Sequence, residues 1–280
     1  MTLTWPVALA VLFGAMLHAS WNALVKSGAD KALDTALLNF TGVVLAIPIL
    51  VFTGWPADAA WPWLLASTAI HLAYYSLLVS AYEHGELALT YPLMRGAAPV
   101  LVALGSATVF GETLTPGGWA GVLGVSCGVL LLGLSRTTAP GRAVLLALLN
   151  AVVIAGYTVI DAQGVRASGN AAAYVSALFV LNALPFGVLV LVRRGRSAAW
   201  AHARRRAPVA LIGAAASLGS YAIALWAMTR APVATVAALR ETSVLFAALL
   251  GTWLLKEAFT PRRALGTAVI VAGVMALRLP

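Results

Sequence analysis

The stretch TYPLMRGAAPVLVALGSATVFGETLTPGGWAGVLGVSCGVLLLGL, residues 90–134, decides the fold, because residues 235–279 repeat it as TVAALRETSVLFAALLGTWLLKEAFTPRRALGTAVIVAGVMALRL. A constant shift of 145 residues gives 12 identities in 45 positions without a gap. They pair Thr90 with Thr235, Arg95 with Arg240, Glu112 with Glu257, Thr115-Pro116 with Thr260-Pro261, Gly121 with Gly266 and Gly128 with Gly273. Self-similarity at a fixed offset marks a duplicated architecture.

Outward from this repeat, apolar runs cover residues 6–25, 33–52, 62–82, 87–110 and 118–134, then 143–160, 171–192, 209–228, 233–255 and 264–277. Of the 280 residues 61% are hydrophobic and 10% charged, against roughly 25% charged in a soluble domain. A hydrocarbon core about 30 Å thick takes roughly 20 apolar residues per helix. The runs therefore predict an all-α integral membrane protein of ten transmembrane helices, with no room for a soluble domain. Barrel-type alternation is absent, which leaves helices as the spanning element.

Each half holds five spans, residues 1–135 in the first and 143–280 in the second. Five is odd, so the second half enters the membrane upside down. Such inverted repeats pack about a pseudo-two-fold axis in the membrane plane and rock to expose a central site to each side in turn. Loop charge sets the orientation. Thirteen basic residues (Lys26, Lys31, Arg136, Arg142, Arg193, Arg194, Arg196, Arg204, Arg205, Arg206, Lys256, Arg262 and Arg263) fall on one side, against Arg166, Arg230 and Arg278 on the other. The positive-inside rule makes the first side cytoplasmic and both termini extracytoplasmic, in a multi-pass protein of the cell inner membrane or plasma membrane.

The net charge of +9 reads as this topology bias together with contact to anionic membrane lipid, not as a nucleic-acid surface. Residues 193–206 read as a solvated segment at the membrane surface. The lone Cys127 forms no internal disulfide and reads as a packing residue. The N-terminus lacks a basic leader and cleavage site, so its apolar run reads as the first span. Phosphate loops, His/Glu zinc spacings and nucleophile elbows are missing, so neither an enzyme nor a cofactor or metal is expected.

An ionisable residue in the middle of a span is costly and reads as functional. Arg95 and Arg240 lie at equivalent depth in spans 4 and 9. They could clamp a carboxylate or phosphate through two parallel hydrogen bonds, or pair with Glu241 to hold broken helices together. Glu241 is also the best carboxylate for proton coupling. In span 3, His71, Tyr74, Tyr75, Leu78 and Tyr82 recur at helical spacing, as a cavity wall or an interfacial aromatic belt. Span 1 carries His18, Trp21 and Asn22; span 6 carries Tyr157, Thr158 and Asp161 in a loosely corresponding place. Trp21 and Tyr157 read as paired substrate contacts, or Trp21 as an interface anchor, with Trp226 and Tyr91 as further wall residues. Thr115 and Thr260 read as N-caps before Pro116 and Pro261. Gly121, Gly124 and Gly128 form a close-packing face.

The order His18-Ala-Ser-Trp-Asn22 with Lys26, then Tyr91-Pro-Leu-Met-Arg95, then two Glu-x-x-Thr-Pro turns resembles the drug/metabolite transporter superfamily, in its ten-helix EamA-type branch. The resemblance covers essentially the whole chain and extends to amino-acid exporters of that family. It implies a cavity lined by spans 3, 4, 8 and 9, and movement of a small-molecule substrate without ATP. Arg95 matches the family pattern; Arg240 is carried over only through the internal repeat. Small multidrug members have an acidic residue in span 1, where this chain offers His18 and Asn22. The expectation is a secondary transporter, in the export direction, of amphipathic metabolites such as amino acids. Two alternatives stand beside it: a carrier of phosphorylated or phosphonate anions, and a membrane-embedded enzyme or lipid-handling protein. Monomer and homodimer both stay open.

Overall fold

A computed structural model describes residues 3–26, 28–84, 87–133, 141–255 and 260–279, with side chains described throughout except at 26, 31, 75, 79, 82, 83, 87–89 and 250–255. The first half comprises α1 (Trp5–Lys26), α2 (Lys31–Thr53), α3 (Trp61–His84), α4 (Leu87–Phe110) and α5 (Pro116–Gly133). The second comprises α6 (Gly141–Ser168), α7 (Ala171–Arg194), α8 (Arg196–Met228), α9 (Val233–Arg240), α10 (Ser243–Leu255) and α11 (Pro261–Ala276). A single 3₁₀ turn, Asp58–Ala60, precedes α3, and no strand occurs among the described residues.

Seven helices, α1, α2 and α4 to α8, are long and apolar enough to cross a membrane. The chain is thus a polytopic helical membrane protein. At 8, 13 and 16 residues, α9, α10 and α11 fall short individually of the roughly 20 that a span needs. Large apolar side chains such as Phe52 and Val192 stand exposed on the outer faces, where lipid rather than water is their favourable neighbour.

Local signals explain the helix ends. Asp30 caps α2 by accepting from the Ala32 and Leu33 amides, and Asn170 caps α7 by accepting from Ala172 and Ala173. Both helices contain a proline, Pro48 and Pro185, and both end at a glycine of positive φ, Gly54 at 75° and Gly195 at 80°. Each glycine amide donates to the carbonyl four residues back, Leu50 and Leu191. An L side chain is strained in that conformation, so glycine terminates the helix there. Thr115 accepts from the Gly118 amide at 3.0 Å, and Thr260 from the Arg263 amide at 3.3 Å. The expected N-caps are present at both Thr-Pro turns, whereas Glu257 lies outside the described residues.

Packing also follows the halves. α1 lies against α8 as α6 lies against α3, and α2 against α8 as α7 against α3, while α2–α7 and α5–α11 pack as like with like. The α5–α11 contact is made by glycines. A Cβ on Gly128 would meet the Gly266 carbonyl oxygen at 2.9 Å, and one on Gly273 would meet that of Gly121 at 3.0 Å. The two contacts are reciprocal: Gly121 and Gly266 occupy equivalent repeat positions, as do Gly128 and Gly273. Such close approach allows dispersion contact in lipid, where apolar burial alone gives little drive.

Two expectations need correction. Span 9 is not continuous: it breaks between Arg240 and Ser243. There the Thr242 hydroxyl donates back to the Leu239 carbonyl at 2.7 Å, a local bond that competes with the helical ladder. The basic segment 193–206, by contrast, is mostly exposed; it is helical from Arg196 and continuous with α8 through Pro208, since its alanines and arginines are good helix formers. Cys127 is exposed on α5 instead of packed, because the glycine face of that helix takes the contact.

Candidate functional site

Where the halves meet, a small pocket is lined by Arg95, Ala98, Pro99 and Val102 of α4, Ile154, Tyr157 and Thr158 of α6, and Ala237, Arg240 and Glu241 at the end of α9. Its cavity volume is about 10 Å³, room for about one water and far below the roughly 300 Å³ at which small-molecule sites begin. The walls touch nearly everywhere, so this conformer is closed around its polar groups.

Arg95 comes from the middle of α4, a helix that continues through Pro92 and Pro99. Its Nε lies 2.8 Å from Glu241 Oε2, with both side chains under 10% exposed. The N–H is not aimed along that line, and Arg95 Nη2 is buried without a hydrogen-bond partner among the described residues. Glu241 follows Arg240 with right-handed helical dihedrals, φ −68° and ψ −12°, where the amide hydrogen bonds shorten from four residues to three. Arg240 itself, partly buried, stacks its guanidinium 5.2 Å from the centre of the Tyr221 ring.

Aromatic rings form the facing wall. Tyr157 stacks on His71 at 4.4 Å and meets Tyr74 edge-on at 5.8 Å. His71 Nδ1 donates to the Ser67 carbonyl at 2.8 Å, which fixes the ring against α6. His71 and Tyr74 of the α3 stripe thus back Tyr157 without themselves lining the pocket; the side chains of Tyr75 and Tyr82 lie outside the described residues. Tyr91, one turn before Arg95, is within electrostatic reach of Arg95, Glu241 and Arg240. His18 is likewise within reach of both arginines.

The rest of the α1 motif is used locally. Asn22 Nδ2 donates to the His18 carbonyl at 2.8 Å. Trp21 meets His18 edge-on at 5.2 Å, and its Nε1 is buried without a partner among the described residues. The structure does not bring Trp21 against Tyr157 in the pocket lining, nor Trp226, whose ring takes the Arg230 guanidinium at 5.0 Å.

Three features were not anticipated in their roles. Asp161, one turn beyond Tyr157, is fully buried and accepts from Tyr174 OH at 2.9 Å on Oδ1 and from Tyr221 OH on Oδ2. Tyr221 thus joins Asp161 to the ring face beneath Arg240. At the end of the bundle near the α8–α9 turn, Glu112 pairs with Arg166 at 2.7 Å and accepts from the Val233 amide at 2.8 Å. Arg166 also donates to the Met228 carbonyl through Nε and Nη2. This clamp closes the end of α8 and the start of α9. At the opposite end Asp34, buried, receives His202 Nε2 and Arg206 Nε, each at 3.0 Å, and Arg206 reaches on to the Leu24 carbonyl.

Opposite charges are thus gathered in one pocket inside an apolar bundle, with an ionic cluster toward each end. Residues 141–279, the second half of the chain, match the EamA-like transporter family, which supports a membrane transporter of the drug/metabolite type. One solved crystal structure, described only as that of a protein, is 25% identical and superposes with a TM-score of 0.76 over 98% of this chain and 96% of its own. No curated protein matches.

Proposed function

We infer that the chain carries zwitterionic, amphipathic metabolites such as amino acids outward across the inner or plasma membrane by alternating access. The observation that carries this reading is the Arg95–Glu241 pair beside Arg240 in one aromatic-walled pocket. A solute with a carboxylate and an ammonium offers each partner of that pair a replacement, so binding loosens the link between the halves without stranding a buried charge. Tyr157, His71, Tyr74 and Tyr91 supply the surface for its side chain, with His18 at hand for the carboxylate. The reciprocal glycine contacts and the matched caps of α2 and α7 support two inverted five-helix repeats, residues 1–135 and 143–280, as the moving parts. Loop charge supports a cytoplasmic basic end and extracytoplasmic termini.

Flux of labelled amino acids into proteoliposomes tests the reading. Arg240→Gln is expected to lower transport of carboxylate-bearing solutes about tenfold more than that of neutral amide analogues; equal loss for both would assign Arg240 a scaffolding role. One observation favours a second reading: two arginines face one carboxylate in the pocket lining, and the surplus positive charge suits a phosphorylated or phosphonate anion. The same assay with labelled organic phosphates separates the two. Saturable phosphate flux without amino-acid flux would overturn the zwitterion reading.

A further inference from the structure

We propose that Asp161 is a proton-binding site of the carrier, linked through Tyr221 to Arg240 in the solute pocket, so that proton and solute occupancy are coupled; this rests on the transporter reading above. The carboxylate is fully buried in the middle of the bundle and, among the described residues, no lysine or arginine forms an ion pair with it. Charge held at such depth marks an ion pathway or a relay. Glu241, the carboxylate that sequence favoured for this task, is already held by Arg95 at 2.8 Å.

The groups facing Asp161 come from four helices. Tyr157 lies one turn before it on α6, Ser67 and His71 reach it from α3, Tyr174 donates from α7 and Tyr221 from α8. Arg240 of α9 stands over the far side of the Tyr221 ring. Arg95 of α4 is engaged by Glu241. Tyr174 and Tyr221 each donate to one carboxylate oxygen, so neither oxygen is left without a donor for a metal cation to take. Nor does any cluster of three or more His, Cys, Asp or Glu side chains suited to a metal occur among the described residues.

A proton arriving from the pocket adds to one carboxylate oxygen and forms a neutral carboxyl group. The phenol on that oxygen then turns from donor to acceptor, and the bond broken is an O–H bond of the hydronium ion that delivered the proton, which leaves as water. When that phenol is Tyr221, its ring lies between the new carboxyl group and Arg240, so a change at either end alters the electrostatics at the other.

Infrared difference spectra of the full chain in liposomes, acid minus alkaline, test the site without needing a solute. The wild type is expected to show a protonated-carboxyl C=O band that Asp161→Asn removes. Tyr221→Phe, which keeps the carboxylate, should retain the band at a shifted frequency, because the group loses a hydrogen-bond partner; this variant identifies the band even if Asp161→Asn does not fold. Identical spectra in all three proteins would overturn the proposal. In flux assays with labelled L-leucine, an imposed pH gradient should raise the initial rate severalfold in the wild type and not at all in Asp161→Asn, whatever the variant's absolute rate. Equal stimulation of both would overturn the coupling. Absence of leucine movement in every protein would count against the amino-acid reading, while the infrared result decides the proton site by itself.

Discussion

The α5–α11 contact and the pair formed by α4 with α9–α10 come from the same repeated stretch, yet they treat its symmetry in opposite ways. At α5–α11 the glycines meet reciprocally, Gly128 on Gly266 and Gly121 on Gly273. At the pocket, Arg95 is buried in an ion pair on an unbroken helix, while Arg240 ends a helix and lies over an aromatic ring. Packing against a like partner rewards sameness, because any Cβ on one side meets backbone on the other. For the zwitterion-binding role proposed above, the pocket needs difference, since two identical arginines would leave no carboxylate for an ammonium group.

The largest expected effect comes from the asymmetric region. Arg95→Gln strands Glu241 in the bundle and should cost about 3–5 kcal/mol. Arg240→Gln, which removes a cation–π contact, should cost about 1 kcal/mol. Unfolding of both variants in detergent micelles reads the difference, and equal losses would erase the distinction drawn between the two arginines. The symmetric region comes next. Gly128→Val and Gly273→Val each drive a side chain into backbone and should each cost about 1–3 kcal/mol. A large inequality between them would break the reciprocity.

Glu112→Gln weakens the clamp on the start of α9 while Arg166 keeps the Met228 carbonyl, for a cost of about 1–2 kcal/mol. Hydrogen exchange at the Val233 amide should rise in the same variant, and unchanged exchange would show that α9 begins without this cap. Pro99→Ala should have the smallest effect, within about 1 kcal/mol of the wild type, because α4 already accommodates the ring. A larger loss would mean that proline in the continuous helix shapes the pocket as strongly as the break in its counterpart.

These contrasts also show what was legible in the sequence. The 145-residue offset gave the glycine contacts and the equivalence of the two arginines, since small residues and intramembrane charges are rare enough to be noticed. The helix break carried no signal of its own: prolines 92 and 99 sit in the helix that continues, and its counterpart breaks at Glu241-Thr242, without proline or glycine. There the Thr242 hydroxyl and the pull of Arg95 decide. The Asp161 network was harder to read, because Tyr174 and Tyr221 follow no motif or period with it, and a tyrosine in an apolar run looks like an interfacial anchor. Only packing of α6, α7 and α8 brings the three together.

The Asp34 cluster has a consequence for how the protein is made. Asp34 precedes His202 by 168 residues and Arg206 by 172. At a synthesis rate of 5–20 residues per second, the carboxylate leaves the ribosome roughly 9–34 s before Arg206 exists. The α1–α2 corner must therefore enter the membrane with its acid still unmatched, and the arginine that secures it arrives with α8. Completion of this end of the bundle is a late event in biogenesis, and a chain truncated before Arg206 would carry an unsatisfied acid in its first hairpin.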